Sequence, residues 1–204
     1  MNMASTLYYI YDPMCSWCWG YAPTWHRLQQ ELAPHVDIIY RLGGLAQDCD
    51  EIMPDEMQNF LQQTWLNISG QLGTAFNFDF WRDCQPRRST FPACRAALIA
   101  RASNKEQSML TAIQHAYYLQ AKNPSNIDTL HKLAIEIGLD GNNFLQQMNS
   151  QQLDKALKKE ISQMSMMQIN GFPALVLVNN QTLINIPIDY KDWRSSYALI
   201  MAKL

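Results

Sequence analysis

The feature that most constrains the fold is a pair of cysteines, Cys15 and Cys18, that lies between a predicted strand and a predicted helix. Residues 7–11 are apolar and rich in aromatic and branched side chains, which predicts a buried strand. Apolar residues then recur at helical spacing over residues 16–32, and residues 36–42 predict a second strand. A strand, a helix and a strand in this order indicate a βαβ unit with a parallel strand pair.

Residues 47–149 follow a different pattern, in which helical periodicity is regular and no strand is predicted. Helices are expected over residues 54–66, 89–100, 109–117 and 126–137. Asn126 is expected to cap the last of these helices, because Asn is favoured at helix N-caps. This part of the chain is therefore predicted to be a helical subdomain.

The last part of the chain returns to a mixed pattern. Its predicted elements are a helix capped by Ser150, a strand over residues 174–178, a hairpin turn at 179–181, a strand over 183–186 and a helix from about 190 to 203. The sequence therefore predicts an α/β fold, a thioredoxin-like fold interrupted by a helical insertion subdomain. Residues 1–46 and 150–204 would form the thioredoxin-like domain, and residues 47–149 the insertion.

Charge and hydrophobicity exclude several classes of partner. The 16 basic and 18 acidic residues give a net charge of -2, which does not favour binding to nucleic acid or to anionic membrane surfaces. No apolar run approaches the ~18 residues that span a bilayer. Arg27 is the first basic residue and no secretory leader pattern precedes the cysteine pair, which predicts a cytoplasmic location. The cysteine count of five is odd, which argues against a framework of structural disulfides.

The motif Cys15-Ser16-Trp17-Cys18 carries the predicted chemistry. The N-terminus of a helix presents unpaired N–H groups and partial positive charge, which favour a reactive thiolate on Cys15. Cys18 lies one turn deeper and is expected to be less exposed, so Cys15 would be the exposed nucleophile and Cys18 the resolving thiol. A zinc half-site and a pair of structural thiols are the alternative interpretations. Within the motif, Trp17 is expected to be exposed and to touch substrate.

Pro173 is the second notable element, because it precedes an apolar strand. Proline often begins a strand simply because it has no N–H to donate to the sheet. Asp12, directly before the motif, is a candidate acid–base group, although a turn or capping role is the simpler interpretation.

The sequence resembles the DsbA family of thiol-disulfide oxidoreductases, and within it the FrnE-like branch of predicted protein-disulfide isomerases. The resemblance is carried by residues 11–20, the turn at 42–45, the segment 91–100 and Gly171-Phe172-Pro173. It implies thiol–disulfide exchange, a helical insertion over the active site, and a cis-proline at Pro173, with Phe172 and Pro173 in contact with substrate. Ser16-Trp17 lacks the histidine of strongly oxidising members, so extreme oxidising power is not implied.

Two other functions remain open at this stage. The first is a glutathione-dependent isomerase or transferase of the 2-hydroxychromene-2-carboxylate isomerase or kappa class, which the retained Cys18 disfavours. The second is a non-catalytic interaction module. The expected partners are protein or small-molecule disulfides and thiols, with glutathione as a possible co-substrate and with no other cofactor and no metal. Cys49, Cys84 and Cys94 are expected to be small buried apolar residues.

Overall fold

A four-stranded sheet forms the centre of the thioredoxin-like part in the computed structural model, which describes residues 5–167 and 169–204. The strands occur in the order β2-β1-β3-β4. They are β1 (Thr6–Tyr11), β2 (Asp37–Leu42), β3 (Ala174–Asn179) and β4 (Thr182–Ile186). β1 pairs with β2 in parallel, and β3 pairs in antiparallel fashion with both β1 and β4. The predicted fold class and the predicted parallel pair are confirmed.

Strand β1 is buried on both faces, which explains its continuous apolar and aromatic sequence. Alternate side chains of a strand point to opposite faces of the sheet. Tyr9 accordingly belongs to the large core that includes Trp25 of helix α1 (Ser16–Leu32), whereas Ile10 packs with Val176 in a smaller cluster. The strand therefore ends, at Tyr11, inside the molecule, and it delivers the cysteine motif to the edge of a packed core.

Every element that the structure describes between β2 and residue 150 is a helix. These helices are α2 (Asp55–Leu72), α3 (Phe80–Asp83), α4 (Phe91–Arg101), α5 (Glu106–Tyr118), α6 (Ile127–Glu136) and α7 (Gly141–Met148). α2 runs six residues beyond its predicted end and stops at Gly73, which adopts a left-handed conformation with φ of 71°. α3 and α7 were not predicted, and Asp140 caps α7 by accepting a hydrogen bond from the Asn143 backbone.

Asn126 occupies the N-cap position of α6, as predicted, but its side chain makes no capping hydrogen bond. Asn126 Oδ1 instead accepts a hydrogen bond from Arg87 Nη2 at 2.6 Å. A partner distant in sequence has thus replaced the local one.

The last part of the chain consists of α8 (Gln151–Ser165), the β3–β4 hairpin and α9 (Trp193–Met201). Ser150 caps α8 by accepting from the Leu153 backbone, as predicted. α9 begins three residues later than predicted, because the Asp189 carboxylate accepts from two backbone N–H groups in a turn and Asp192 then caps the helix. Among the helices that the structure describes, none is long and apolar enough to cross a membrane.

Candidate active site

Cys15 lies in the N-cap position of α1, at the end of a tight turn that follows β1. Its backbone N–H donates to the Asp12 carbonyl at 3.1 Å. Its Sγ donates to the Phe172 carbonyl at 3.3 Å, so the nucleophile faces the loop that precedes β3. The expectation that Cys15 is exposed is wrong, since only 6% of the residue is accessible. The contact with the Phe172 loop accounts for this shielding.

Cys18 lies one helical turn further along α1 and is completely buried. Burial raises the pKa of its thiol well above the ordinary value, and the hydrogen bond with Cys15 and the charge on Cys15 raise it further. Both cysteines are free thiols in this structure. The predicted order of accessibility, Cys15 before Cys18, therefore holds even though both residues are shielded.

The loop that carries Pro173 packs against the end of β2 through a glycine. The Phe172–Pro173 peptide bond is cis. A Cβ atom added to Gly43 would lie 2.0 Å from Cε1 of the Phe172 ring, which is an impossible contact. Only glycine at this position lets the ring approach the backbone, and the ring in turn fixes the carbonyl that contacts Cys15. From the sequence, Gly43 was expected to end the second strand and to belong to the turn that carries the family resemblance, but its contact with the Phe172 ring was not predicted.

Asp12 is a fully buried carboxylate directly below the motif. Its Oδ1 accepts from the Met14 backbone at 2.8 Å, which is the turn role that the sequence suggested. Its Oδ2 accepts from the Leu45 backbone and the Thr90 hydroxyl, each at 2.7 Å, and from the Cys94 thiol at 3.5 Å. Burial raises the pKa of Asp12, and these hydrogen bonds oppose the increase. Asp12 therefore ties the cysteine loop to the loop after β2 and to the start of α4.

Trp17 is half-buried rather than exposed, which corrects the expectation for the motif. Its ring meets the ring of Tyr190 edge-on, with centroids 5.1 Å apart. Tyr190 also borders a cleft of about 350 Å³ that is lined by the Phe172-Pro173 loop and by Ile186. Tyr190 was missed in the sequence because nothing local relates it to a motif more than 170 residues earlier. Ser16 is buried at the start of α1.

The other three cysteines differ in burial. Cys94 is buried as expected, although its thiol donates to Asp12. The same expectation is wrong for Cys49 and Cys84, which are partly exposed. Within residues 5–167 and 169–204, no group of three or more histidine, cysteine or acidic side chains is arranged to hold a metal ion.

Comparison with protein families gives one match over most of the chain. The family model described as Thioredoxin matches residues 8–192, which include the cysteine motif, the helical segment and the Pro173 loop.

Two solved structures share this architecture over almost their whole length. A candidate protein disulfide isomerase from Nitrosomonas europaea is 25% identical, with a TM-score of 0.86, and the match covers 98% of this chain and 97% of that one. The cytosolic disulfide reductase DsbM from Pseudomonas aeruginosa is 24% identical, with a TM-score of 0.78 and 97% coverage of both chains. DsbM has also been solved with GSH.

A more distant relative is the ClpXP adapter protein SpxH of Halalkalibacterium halodurans. It is 23% identical over 180 residues, which cover 85% of this chain. The chain spans only 58% of the length of that relative.

Proposed function

The chain belongs to the thioredoxin family, in its DsbA-like branch, and on that premise we propose that it is a thiol–disulfide oxidoreductase. In the proposed reaction the Cys15 thiolate attacks one sulfur of a substrate disulfide and expels the other sulfur as a thiolate. The Cys18 sulfur then attacks the sulfur of Cys15, and the second substrate sulfur leaves and takes up the proton that Cys18 loses. The substrate gains two electrons, and Cys15 and Cys18 become a disulfide. The reverse sequence oxidises a substrate dithiol.

The observation that carries this proposal is the asymmetry of the cysteine pair at the start of α1. Cys15 is the outer thiol and faces the Phe172 carbonyl, whereas Cys18 is fully buried behind it. A substrate can therefore approach Cys15 first, because Cys18 is completely buried. This order is the one that a nucleophile and a resolving thiol require.

The proposed substrates are disulfides and thiols of proteins or small molecules, with glutathione as a co-substrate. The cleft lined by Phe172 and Pro173 lies along the loop whose Phe172 carbonyl contacts Cys15, and it would supply space for the segment that flanks the substrate sulfur. The Cys15–Cys18 pair would itself be the redox-active group, and no other cofactor would be needed. We also propose a cytoplasmic location, in keeping with the cytosolic DsbM.

A second candidate is binding without catalysis, which the similarity to an adapter protein favours. In that case the fold would present a docking surface, and replacement of either cysteine would leave binding intact. A glutathione-dependent isomerase remains the third possibility. It would hold glutathione without a covalent bond and would have no need of Cys18.

Replacing Cys18 with Ser tests the proposal directly. The variant keeps the size and polarity of the side chain but cannot resolve a mixed disulfide, so adducts reducible by dithiothreitol should accumulate on Cys15 and be found by peptide mass mapping. Cys15→Ser should lose exchange activity, because an unactivated hydroxyl is a poor nucleophile. Full turnover by Cys18→Ser would contradict the dithiol mechanism and favour the isomerase. The adapter function would be favoured if neither variant showed full activity, both bound the partner as the wild-type protein does, and no adduct formed.

A further inference from the structure

The residues that line a small cavity on the helical side of the cysteine motif carry an unusual charge. It has a volume of about 40 Å³ and lies between the two residues that flank Cys15, Met14 and Ser16, and the segment that leads into α4. Arg87 and Arg88 line it together, and no acidic residue does. Two adjacent arginines therefore border a space beside the residues that flank Cys15.

Neither arginine is neutralised within the part of the chain that the structure describes. The ion pairs found there involve other basic residues, and Arg87 and Arg88 take part in none. Arg87 Nη2 donates to the Ser125 carbonyl and to Asn126 Oδ1, which are both uncharged. Arg88 donates only to the sulfur of Met57, at 3.5 Å, and sulfur is a weak acceptor.

Arg87 also has an unused donor. Its Nε is buried and finds no hydrogen-bond partner among residues 5–167 and 169–204. A buried donor without a partner costs about 1–3 kcal/mol, and most such groups in proteins are satisfied by a partner, a water or a ligand. Asp12, which accepts from the Thr90 of the cavity lining, does not compete for these donors, because four other residues already donate to its carboxylate.

We propose that Arg87 and Arg88 form a carboxylate-binding subsite that selects carboxylate-bearing thiols and disulfides for reaction at Cys15. The inference rests on the proposed function and names the substrate class for the same site. A guanidinium group matches a carboxylate in charge and in the geometry of its donors, and such charged hydrogen bonds are among the strongest in proteins. The cavity holds little more than one such group, since a single water needs ~10–15 Å³ of this kind of space.

The carboxylate has two possible sources with the same chemistry. One is a small thiol such as glutathione, whose glycyl carboxylate has no ammonium group beside it. The other is an acidic side chain next to the cysteine of a protein substrate. In both cases the carboxylate would occupy the subsite while the substrate sulfur reaches Cys15.

The first arm of the test measures how fast a thiol reduces the Cys15–Cys18 disulfide of the full chain. Glutathione is compared with its glycyl ethyl ester, which has the same thiol but lacks that carboxylate. The wild-type protein should react about tenfold faster with glutathione, which corresponds to about 1.4 kcal/mol. Arg88→Gln should reduce this preference and Arg87→Gln combined with Arg88→Gln should abolish it, while the rate with the ester stays unchanged.

The second arm uses disulfide-linked peptide pairs that carry either Asp or Asn beside the cysteine, reduced by the dithiol form of the protein. If the double variant loses only the preference for glutathione over its ester, the ligand is a small thiol. If it loses only the preference for the Asp peptide over the Asn peptide, the ligand is an acidic protein segment. Arg82→Gln is the matched control, because Arg82 is exposed and paired with Asp79 and Asp83.

Three results would overturn the proposal. The first is that the wild-type protein shows no preference for the charged member of either pair. The second is that both arginine variants keep the wild-type preference. The third is an equal loss of rate with charged and uncharged partners in Arg88→Gln, which should fold normally because the exposed Arg88 side chain gives up only a weak hydrogen bond to Met57. If no thiol of either charge reduces the disulfide, the proposed function itself fails, and the subsite with it.

Discussion

At the scale of single residues, Asp12 connects the cysteine loop to two other parts of the chain. An amide at this position would place an N–H₂ group where the carboxylate now accepts from the Leu45 or Met14 backbone. We expect Asp12→Asn to lower the free energy of unfolding by about 1–3 kcal/mol, the cost of leaving buried donors without an acceptor. Urea denaturation measures this change. Wild-type stability in the variant would show that the hydrogen bonds of Asp12 contribute nothing to the fold.

The same substitution has a pH dependence whose sign follows from the raised pKa of Asp12. The folded protein holds this proton more tightly than the unfolded chain, in which the pKa is close to its ordinary value of 3.8. Wild-type stability is therefore lost as the pH rises from about 4 through the raised pKa, and Asp12→Asn does not share this loss. The stability gap between the two proteins should narrow as the pH rises. A gap that widens or stays constant between pH 4 and 8 would contradict the raised pKa.

Local sequence was enough to find the cysteine pair, because Cys15 and Cys18 lie on one turn of a helix whose start is visible in the sequence. The partners of Asp12 were not visible. Thr90 and Cys94 are 78 and 82 residues away, and only the packing of α4 against the sheet brings them to the carboxylate. Exposure was misjudged for a similar reason, since the residue that shields Cys15 is 157 positions distant.

At the scale of elements, the close approach of the β2 end to the Phe172 loop gives a sharp prediction. Gly43→Ala would place a Cβ atom 2.0 Å from the Phe172 ring and must displace that loop and the carbonyl that contacts Cys15. We expect a loss of stability of about 1–3 kcal/mol, as for other overpacked sites, and slower thiol–disulfide exchange. Denaturation and an exchange assay measure the two effects.

Gly70→Ala is the matched control, because Gly70 lies within α2 and an added Cβ would meet nothing within 4 Å. Alanine should stabilise that helix by about 0.5–1 kcal/mol and leave exchange unchanged. Equal behaviour of the two variants would mean that the Gly43 contact does not hold the loop in place.

The predicted element boundaries were correct where a local sequence signal sets them, and they were wrong where no such signal exists. Ser150 marks the start of α8 by its own side chain, and the sequence located it correctly. α9 was placed too early, because the turn organised by Asp189 precedes it. α7 is only eight residues long and has two buried side chains, Phe144 and Met148, so the stretch was too short to be identified as a separate helix.

At the scale of the whole molecule, one ionic network joins the helical segment to the sheet. Arg101, at the end of α4, pairs with Glu106 of α5 and with Glu160 of α8, each at 2.6 Å. Glu160 also accepts from the Leu42 backbone in β2, and Glu106 accepts from Tyr11 in β1. The predicted boundaries of the insertion, residues 47–149, remain a prediction, but the two parts share these contacts.

Removing the arginine should therefore destabilise both parts together. Arg101→Gln leaves two largely buried carboxylates without their cation, and we expect a loss of about 2–3 kcal/mol, less than for a fully buried pair because 26% of the Arg101 side chain is exposed. Denaturation followed by tryptophan fluorescence and by far-UV circular dichroism should give one shared transition at lower urea. Arg82→Gln, which breaks only exposed pairs, should change nothing measurable. Wild-type stability in Arg101→Gln would show that the network does not hold the parts together.

The most direct test of thiol–disulfide exchange is a redox equilibrium on the intact protein. The chain is equilibrated with thiol–disulfide mixtures from about -320 to -180 mV, quenched in acid, alkylated and mapped by mass spectrometry. Cys15 and Cys18 should lose their free thiols together, reversibly and with one midpoint. Cys49, Cys84 and Cys94 should keep their free thiols, and so be alkylated after the quench, at every potential. A midpoint below the glutathione potential of the cytosol would indicate a reductant, and one above it an oxidant or isomerase. Cys15 and Cys18 that never pair with each other in this range would contradict the proposed function.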